Sequence, residues 1–477
     1  MSWFLKLASA LFTTTAATSI LSTSCKCFPG DRCWPSTAEW DAFNTTVGGR
    51  LIATVPLGRP CHDPFFSPDI CRSLQGEWQH EEIHYNSSSS VMAPFFANQS
   101  CDPFQPQSRS CAFGNYVRFA VNASGSADIQ AAIAFARDKN IRFVIRNTGH
   151  DYLGRSTGAG SLAVWTHHLK DIEVINWSAS DYTGPAVKLG AGVQGFDVLT
   201  ATKDLGLIVV GGECPSVGLA GGYTQGGGHS AISTNFGLSA DNVLSCEVVT
   251  ASGQLVNASA VENSDLFWAV RGGGGGTYGA LVSMTVKAHP DAIFGGATLN
   301  FNTTDNSNDT FWAGIQAFHE ALADMVDSGT MVIYTFTNTS FQFIPLTAYN
   351  KTSAQVEEIM TLYLAALNSL GVQYTVAFTE FNTYFEHYNN YFGPLPDGSI
   401  EVGIAQYGGR LIPRTVVANI SDTIRSIADQ GVTWIGVGTN VEPFGTTETT
   451  SVPPAWREAL VHAVLTTPWN FTAPWRT

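Results

Sequence analysis

The spacing of apolar residues divides the chain into two parts that meet near residue 290. Before that point, short apolar runs such as Ile141 to Arg146 and Leu162 to Trp165 are separated by glycine-rich turns, a pattern typical of strands. After it, strand patterns alternate with longer helical ones, of which Thr310 to Val326 and Ser353 to Leu370 are the clearest. The pattern predicts an α+β protein whose second part is a broad antiparallel sheet with helices on one face.

The same pattern predicts further elements. Ser126 is predicted to cap a helix that runs to about Lys139, with Asp128 in its first turn. The other predicted helices are Ser36 to Val47, Asp197 to Leu205 and Ser264 to Val270. The other predicted strands are Ala186 to Leu189, Leu207 to Val210, Val243 to Thr250, Gln254 to Asn257, Ala280 to Val286, Met331 to Phe336, Ser340 to Ala348, Gln373 to Phe378 and Ile400 to Gln406.

Cysteines are concentrated in the first quarter of the chain. Seven of the nine precede residue 112, at Cys25, Cys27, Cys33, Cys61, Cys71, Cys101 and Cys111. In an oxidising compartment this clustering predicts disulfides that staple an extended, loop-rich N-terminal region. A metal site is the weaker alternative, because the cysteine pair CKC has no partner pair at ligand spacing. Seven is an odd number, so one of these thiols is expected to stay free or to pair unexpectedly.

Two further features predict secretion. Residues 1–24 contain Lys6, an apolar run from Leu7 to Ile20, and small residues at Ser22 to Ser24, which together fit a signal peptide. A membrane anchor is the alternative, but the run is short and interrupted by threonines. The chain also contains twelve Asn-x-Ser/Thr sequons, among them Asn44 and Asn257, which can accept N-linked glycans.

The charge balance excludes some partners. The formal net charge is −15, so the chain has no electrostatic basis for binding nucleic acid or an anionic membrane surface. Charged residues make up 13% of the chain, against about 25% in a typical soluble protein, and apolar residues make up 44%. This composition supports a large buried core.

Glycine-dense turns at 149–160, 211–228 and 272–279 each adjoin a predicted strand. Such turns usually mark only a tight bend in the backbone. None of them is a P-loop or a Rossmann fingerprint, because the lysine and the acidic partner that those motifs need are absent from the required spacing. Three of them together, however, could supply the closely spaced backbone N–H groups that a pyrophosphate requires.

Two of these turns carry motifs that resemble a flavoprotein family. Residues 146–152 are RNTGHDY, and residues 211–230 are GGECPSVGLAGGYTQGGGHS. They resemble the two sites at which berberine-bridge-enzyme-like oxidases, of the vanillyl-alcohol-oxidase class, hold FAD. The resemblance implies that His150 bonds the 8-methyl carbon of the flavin and that Cys214 bonds ring carbon 6. DLFWAVRGGGGGTYG at 265–279 and QYGG at 406–409 are also similar to family motifs.

The resemblance implies a set of site residues and no metal. In plant members of the family, the strand after Tyr-Gly-Gly offers the substrate a Glu or Gln, but the nearest candidate here, Val432 to Gly438, has no ionisable side chain. Tyr407 is therefore the candidate catalytic residue, with Tyr152 and His229 as weaker ones. The implied cofactor-binding residues are Arg146, Asn147, Thr148, Gly149, His150, Asp151, Cys214, Val217, Gly218, Gly222, Gly227 and Gly228.

The resemblance also implies a domain plan. A signal peptide, 1–24, and a cysteine-rich region, 25–112, precede a two-subdomain FAD-binding domain of the PCMH type, 113–291. A substrate domain, 292–445, follows, with an antiparallel sheet backed by helices. The last segment, 446–477, is expected to be a shortened C-terminal tail, because it ends at PWNFTAPWRT without the Asn-Tyr and Lys-x-x-Tyr-Asp-Pro motifs of the family.

The function implied is that of a secreted flavoprotein oxidase, which is expected to be a monomer. It would transfer a hydride from an alcohol, an amine or a phenolic secondary metabolite to covalently bound FAD, with dioxygen as acceptor and hydrogen peroxide as product. The aromatic residues of the second part fit a flat or apolar ligand but are equally compatible with a core: Tyr384, Phe385, Tyr388, Tyr391 and Phe392. Two alternatives remain, namely a carbohydrate oxidase and an inactive flavin-binding secreted protein.

Overall fold

The computed structural model describes residues 25–446 and 448–472, and three main sheets organise them. The predicted signal peptide, 1–24, lies outside the described residues. The first sheet is mixed, and the second and third are antiparallel. Helices pack beside all three, so the predicted α+β class is confirmed.

The N-terminal region is stapled by disulfides, as predicted. The bonds join Cys27 to Cys33, Cys61 to Cys71 and Cys101 to Cys111, and Cys25 is exposed and unbonded to any described cysteine. The region has more regular structure than the loops predicted for it. Its elements are α1 (Thr37–Thr46), β1 (Leu51–Ala53), α2 (Pro68–Glu77) and α3 (Glu81–Tyr85).

Helix α1 was predicted correctly because its start has a complete capping box, in which Ser36 and Glu39 bond each other's backbone N–H groups. Helices α2 and α3 lack a side-chain cap and have few apolar positions, so no periodic signal marks them. Most of the region outside these elements is loop, as predicted, but the prediction missed helices α2 and α3.

The first sheet has the order β1-β2-β4-β3, with β2, β4 and β3 parallel. Its other strands and its helix are β2 (Phe119–Asn122), α4 (Ser126–Asp138), β3 (Arg142–Arg146) and β4 (Ser161–Trp165). The predicted capping role of Ser126 is wrong, because the N-cap position is Gly125. The Asp128 carboxylate instead accepts hydrogen bonds from Ser124 and pairs with Arg50, which ties the helix to the N-terminal region.

The second sheet has the order β5-β6-β10-β8-β9. Its elements and the adjoining short ones are β5 (Ile172–Ser178), β6 (Thr183–Gly190), α5 (Gly195–Thr202), β7 (Leu207–Ile208), α6 (Ser233–Phe236), β8 (Val243–Val249), β9 (Leu255–Ser259), α7 (Ser264–Val270), β10 (Ala280–Lys287) and β11 (His289–Pro290). The strands predicted at Val243 to Thr250 and Gln254 to Asn257 are confirmed as β8 and β9, which pair antiparallel as a hairpin. Strand β5 was missed because none of the side chains on this edge strand is buried, so no regular apolar pattern marks it.

The third sheet has seven strands in the order β15-β12-β14-β13-β17-β18-β16. Its elements and helices are β12 (Phe294–Asn302), α8 (Asn308–Asp327), β13 (Thr330–Phe336), β14 (Ser340–Tyr349), α9 (Ser353–Ser369), β15 (Thr375–Phe381), α10 (Tyr384–Phe392), β16 (Ala405–Pro413), α11 (Ser421–Ala428), β17 (Thr433–Gly438) and β18 (Ala459–Pro468). The strand predicted at Ile400 to Gln406 is wrong, since β16 begins at Ala405.

Strand β18 comes from the segment expected to be a tail. It lies inside the third sheet, between β17 and β16, and pairs with both. The strand beside the Tyr-Gly-Gly strand is therefore β18, whereas β17, the next strand along the chain, lies one strand further away in the sheet.

The two faces of the third sheet have different roles. Alternate residues of β13 separate them: Val332 and Tyr334 pack with helices α8, α9 and α11. Met331 and Ile333 pack instead against α10 and apolar residues of the first part, such as Ile208. The second face therefore lies against the glycine-rich loops.

None of the helices within 25–446 and 448–472 is both long and apolar enough to cross a membrane.

The segment that leads into β18 is held to the first part by one buried ion pair, which gives a test of this packing. Arg457 donates two hydrogen bonds to Asp241, whose side chain is only 3% exposed. Arg457→Ala would leave that carboxylate buried and unpaired, so we expect the free energy of unfolding to fall by about 3–5 kcal/mol in urea titrations. The matched pair Arg414–Asp327 has the same two-bond geometry on the surface, and Arg414→Ala should lower the free energy by less than about 1 kcal/mol. Equal losses would contradict the interpretation.

Candidate active site

A buried arginine holds the loop that carries His150. The Arg146 guanidinium lies at the end of β3 and donates to the backbone carbonyls of His84, Ser87, Ser90 and Thr148. These bonds use at most four of the five guanidinium N–H groups, and none of the four acceptors is a carboxylate. Burial lowers the pKa of Arg146 to about 10. The Arg146 side chain therefore holds the loop in place by bonding its backbone to that of the N-terminal region.

Gly149 is required by this arrangement. Its φ of +95° lies in the left-handed region, and a Cβ there would come within 2.7 Å of the Arg146 guanidinium. The adjacent Asp151 closes the loop by accepting bonds from the backbone N–H groups of Leu153, Arg155 and Ser156. These two features fix the backbone on both sides of His150.

The Asn147 side chain packs against the second glycine loop. Its Nδ2 donates to Ala191 O at 2.6 Å and to Thr166 Oγ1 at 3.0 Å. A Cβ at Gly218 or Gly221 would collide with the Asn147 side chain, so both positions need glycine. The Asn147 Oδ1 is buried and finds no hydrogen-bond partner among the described residues. An unsatisfied acceptor at this depth is costly unless a bound group supplies a donor.

The loops carrying His150 and Cys214 meet at one serine. Ser216 Oγ lies 2.8 Å from His150 Nε2 and 3.3 Å from Cys214 Sγ. It donates its own proton to Glu81 Oε1 at 3.2 Å. Three polar groups, those of His150, Cys214 and Glu81, thus share the single hydroxyl of Ser216, although the sequence motifs linked only His150 and Cys214.

Burial sets the protonation of this cluster. It lowers the pKa of His150 to about 3, with a smaller contribution from His84 and Arg146, and raises the pKa of the Cys214 thiol to about 11. The pKa of Glu81 is also raised, chiefly by burial. At neutral pH the imidazole is therefore uncharged and the thiol keeps its proton.

The third glycine turn supports the second. The N–H groups of Gly272 and Gly274 both donate to Gln225 O, and that of Gly273 donates to Ala269 O. Gly275 lies against Gly222, where a Cβ would be 3.2 Å from the Gly222 Cα. Gly222 itself has open space around its missing Cβ.

The remaining predicted residues close the second loop. Val217 accepts from the Gly195 N–H, while Gly227 and Gly228 accept from Ala240 and Ser239. Both glycines have positive φ. Thr148 is buried, and its carbonyl is one of those bound by Arg146.

Tyr407, the candidate catalytic residue, lies beside His150. Its ring stacks on Tyr152, with centroids 4.5 Å apart. Burial raises the pKa of Tyr407, so its phenol keeps its proton at neutral pH. A small pocket here is lined by Met92, Ala93, His150, Asp151, Tyr152, Val402, Gly403, Ala405 and Tyr407.

A second titratable cluster was largely missed. His462, on β18, faces His229, with ring centroids 5.3 Å apart, and Trp456 lies beside both rings. Glu213 Oε1 lies 3.5 Å from His229 Nδ1. The sequence motifs predicted only His229 as a candidate. His462 was missed because the order of strands in the sheet places it beside the Tyr-Gly-Gly strand, and no local sequence pattern predicts that order.

The two histidines of this cluster are shifted in opposite directions. Burial alone would lower the pKa of His229, but the charge of Glu213 raises it above the ordinary value. Burial and the neighbouring His229 lower the pKa of His462 to about 4. His462 is therefore an uncharged proton acceptor at neutral pH. It lies above Gly409, where a Cβ would be 3.7 Å from its Nε2.

The aromatic residues of α10 belong mainly to the core. Tyr384, Tyr388 and Phe392 are buried against apolar residues from both parts of the chain. Tyr388 also donates to Gly212 O at 2.9 Å, next to the cysteine loop.

The described residues fit a flavin dinucleotide on three counts. An imidazole and a thiol converge on one hydroxyl, a buried acceptor on Asn147 lacks a partner, and Gly222 leaves open space beside its backbone. A ligand set for a metal ion is not found among the described residues.

Comparisons with known proteins agree with this fit. The family model of an FAD binding domain matches residues 117–259. The FAD-linked oxidoreductase ZEB1 of Gibberella zeae is 64% identical over 454 residues, which are 95% of this chain and 80% of the relative. The crystal structure of the VAO-type flavoprotein MtVAO615 from Myceliophthora thermophila C1 has a TM-score of 0.91 at 39% identity, covering 94% of this chain and 84% of that chain.

A more distant structure shares the fold. Glucooligosaccharide oxidase from Acremonium strictum, whose FAD is 6-S-cysteinyl and 8α-N1-histidyl, has a TM-score of 0.61 at 18% identity. The match covers 73% of this chain and 74% of that chain.

The role of Arg146 can be tested without knowing the ligand. Arg146→Lys keeps the charge but cannot reach four carbonyls at once, so about two charge-assisted bonds of 1.5–3 kcal/mol each are lost. We expect the free energy of unfolding in urea to fall by about 3–6 kcal/mol. Arg142→Lys, an exposed position on the same strand, is the control and should change it by less than about 0.5 kcal/mol. A small effect at both positions would show that the guanidinium fork is dispensable.

Proposed function

The chain belongs to the FAD-linked oxidoreductases of the vanillyl-alcohol-oxidase type, and we propose that it holds FAD covalently through both His150 and Cys214 while oxidising a small organic substrate. The observation that carries the proposal is the convergence of these two side chains on Ser216. An imidazole and a thiol this close suit attachment to the 8-methyl carbon and to carbon 6 of one flavin ring system.

The hydrogen bonds favour one imidazole nitrogen for attachment. Because Ser216 donates to Glu81, its oxygen is left to accept from His150 Nε2–H. This tautomer leaves the Nδ1 lone pair bare as a nucleophile. The distant glucooligosaccharide oxidase has its histidyl bond at N1, which supports the same attachment here.

The bound FAD would accept two electrons from the substrate. The chain must then orient the substrate and take up the proton that leaves it. Two groups compete for that role: Tyr407, at the pocket beside His150, and His462, on the adjacent strand. We favour His462, because an uncharged imidazole accepts a proton directly, whereas a phenol with a raised pKa must first lose its own.

The substrate proposed is an alcohol or a phenolic secondary metabolite, with dioxygen as acceptor and hydrogen peroxide as product. The stacked pair of Tyr152 and Tyr407 supports a ligand with a flat face. The same pair would also serve a sugar ring, so a carbohydrate oxidase is the second candidate. Secretion is supported by the three disulfides, which persist in oxidising compartments, and we propose a monomer.

Peptide mass spectrometry of the secreted protein tests the attachment. The wild-type chain should carry one FAD that survives denaturation and links the peptides of His150 and Cys214. His150→Ala and Cys214→Ala should each keep one bond, and the double variant should release its flavin on denaturation. Cys246→Ala, at a buried cysteine of β8, is the control and should keep both bonds. Absence of covalent flavin from the wild-type chain would overturn the proposal.

The pH dependence of flavin reduction distinguishes the two proton acceptors. Primary alcohols, phenols and oligosaccharides would be mixed anaerobically with the enzyme, and bleaching of the flavin followed. With His462 as acceptor, the rate should fall as the pH drops through about 4, because the imidazolium cannot accept a proton. His462→Gln should remove this fall in rate at acidic pH and slow flavin reduction by about 10²–10⁴-fold.

Tyr407→Phe is the comparison variant and should keep the fall in rate at acidic pH. If Tyr407→Phe abolishes flavin reduction while His462→Gln keeps the wild-type rate and its pH dependence, Tyr407 is the acceptor instead.

A further inference from the structure

Ser216 occupies a position that the oxidation of a substrate does not require. Its hydroxyl is 2% exposed and bonds His150, Cys214 and Glu81 together. Glu81 is itself only 4% exposed and comes from helix α3 of the N-terminal region, far from the glycine loops in sequence. A buried carboxylate with no cationic partner at hydrogen-bond distance is expensive, so its placement here calls for a chemical reason.

The direction of the hydrogen bonds supplies a chemical reason for placing Glu81 here. Ser216 donates its single proton to Glu81, so its oxygen must accept from both His150 Nε2–H and the Cys214 thiol. Each of the two nucleophiles therefore points its proton at the same oxygen. That oxygen is in turn connected to a carboxylate that can receive the proton.

We propose that Glu81 and Ser216 are the proton-accepting pair with which this chain attaches its own flavin, Ser216 relaying to Glu81 the proton that His150 and Cys214 each release. The inference rests on the covalent attachment proposed above. It assigns Ser216 and Glu81 a proton-transfer role in attachment, and it assigns them no part in substrate oxidation.

The reaction balances at each bond. At Cys214 the S–H bond breaks, a sulfur–carbon bond forms, and the thiol proton passes through Ser216 to Glu81. At His150 a bond forms between Nδ1 and the methyl carbon, and the Nε2 proton takes the same path. Each attachment also displaces a hydrogen from the ring system, and its two electrons go to dioxygen. The net products are one linkage and one hydrogen peroxide per bond.

The thiol depends on such an acceptor more than the imidazole does. Burial raises the pKa of Cys214 to about 11, so very little thiolate exists at neutral pH without a base, and the thiolate is the reactive form. Several other charged or titratable groups act on the cluster. They are Arg146 and His84 beside His150, Tyr152 and Tyr388 beside Cys214, and His80, Asp397 and Tyr85 beside Glu81. Of these, Arg146 is committed to backbone carbonyls and His84 to Trp78 O and Ser90 Oγ.

The test follows attachment in time. Full-length protein produced under riboflavin limitation would be mixed with FAD in air, quenched in acid at intervals, and digested for peptide mass spectrometry. Glu81→Gln should slow formation of the Cys214 bond by about 10²-fold at pH 7 and the His150 bond by less. Glu82→Gln, an exposed neighbour on the same helix, is the matched control and should match the wild-type chain.

A pH series separates a chemical role from a structural one. In Glu81→Gln the rate of the Cys214 bond should rise about tenfold per unit between pH 7 and 9, following the thiolate fraction, while the wild-type rate should change much less. Ser216→Ala should behave like Glu81→Gln. Wild-type rates in Glu81→Gln, or slow rates that do not recover with pH, would overturn the inference. Failure of the wild-type chain to form either bond would instead overturn the proposed function.

Discussion

The candidate site depends on one buried cation that has no anion beside it. Arg146 sits at the end of a parallel strand and satisfies four backbone carbonyls, three of which belong to residues 84–90. Taking a guanidinium out of water is costly, and neutral carbonyls offset that cost only when several are held in place at once. The arginine and the N-terminal region therefore order each other. The left-handed Gly149 is fixed by the same contact, and with it the direction of His150.

The contact with Arg146 gives the disulfide-stapled region a direct role in forming the site. Such a region would ordinarily be a protective wrapping around a core formed elsewhere. Here the segment that delivers the carbonyls to Arg146 also delivers Glu81 to Ser216. The third sheet contributes from the opposite side, where β18 brings His462 to His229. The site is thus assembled from three distant stretches of chain: the N-terminal region, the glycine loops and the third sheet. The glycine loops lie between the N-terminal region and the third sheet.

Local sequence sufficed where local interactions decide the structure. Helix α7 was predicted with its bounds because seven residues between a turn and a glycine run leave little choice, and α1 because Ser36 and Glu39 complete a capping box. The loops of His150 and Cys214 were recognisable from their motifs, and they do meet. Ser126 was misassigned because Asp128 engages Ser124, a choice that depends on Arg50 from another region. Glu81 and His462 were missed because only tertiary contacts and strand order bring them to the site.

Burial has opposite consequences for the two groups that converge on Ser216. Removing water disfavours charge, so the imidazole of His150 stays neutral and keeps a free lone pair, which is its reactive form. The same desolvation keeps the proton on the Cys214 thiol, which is its unreactive form. A more polar site would release the thiol but would also protonate the imidazole more readily. A single buried hydroxyl connected to a carboxylate resolves this conflict, because it takes the thiol proton without admitting water to the imidazole.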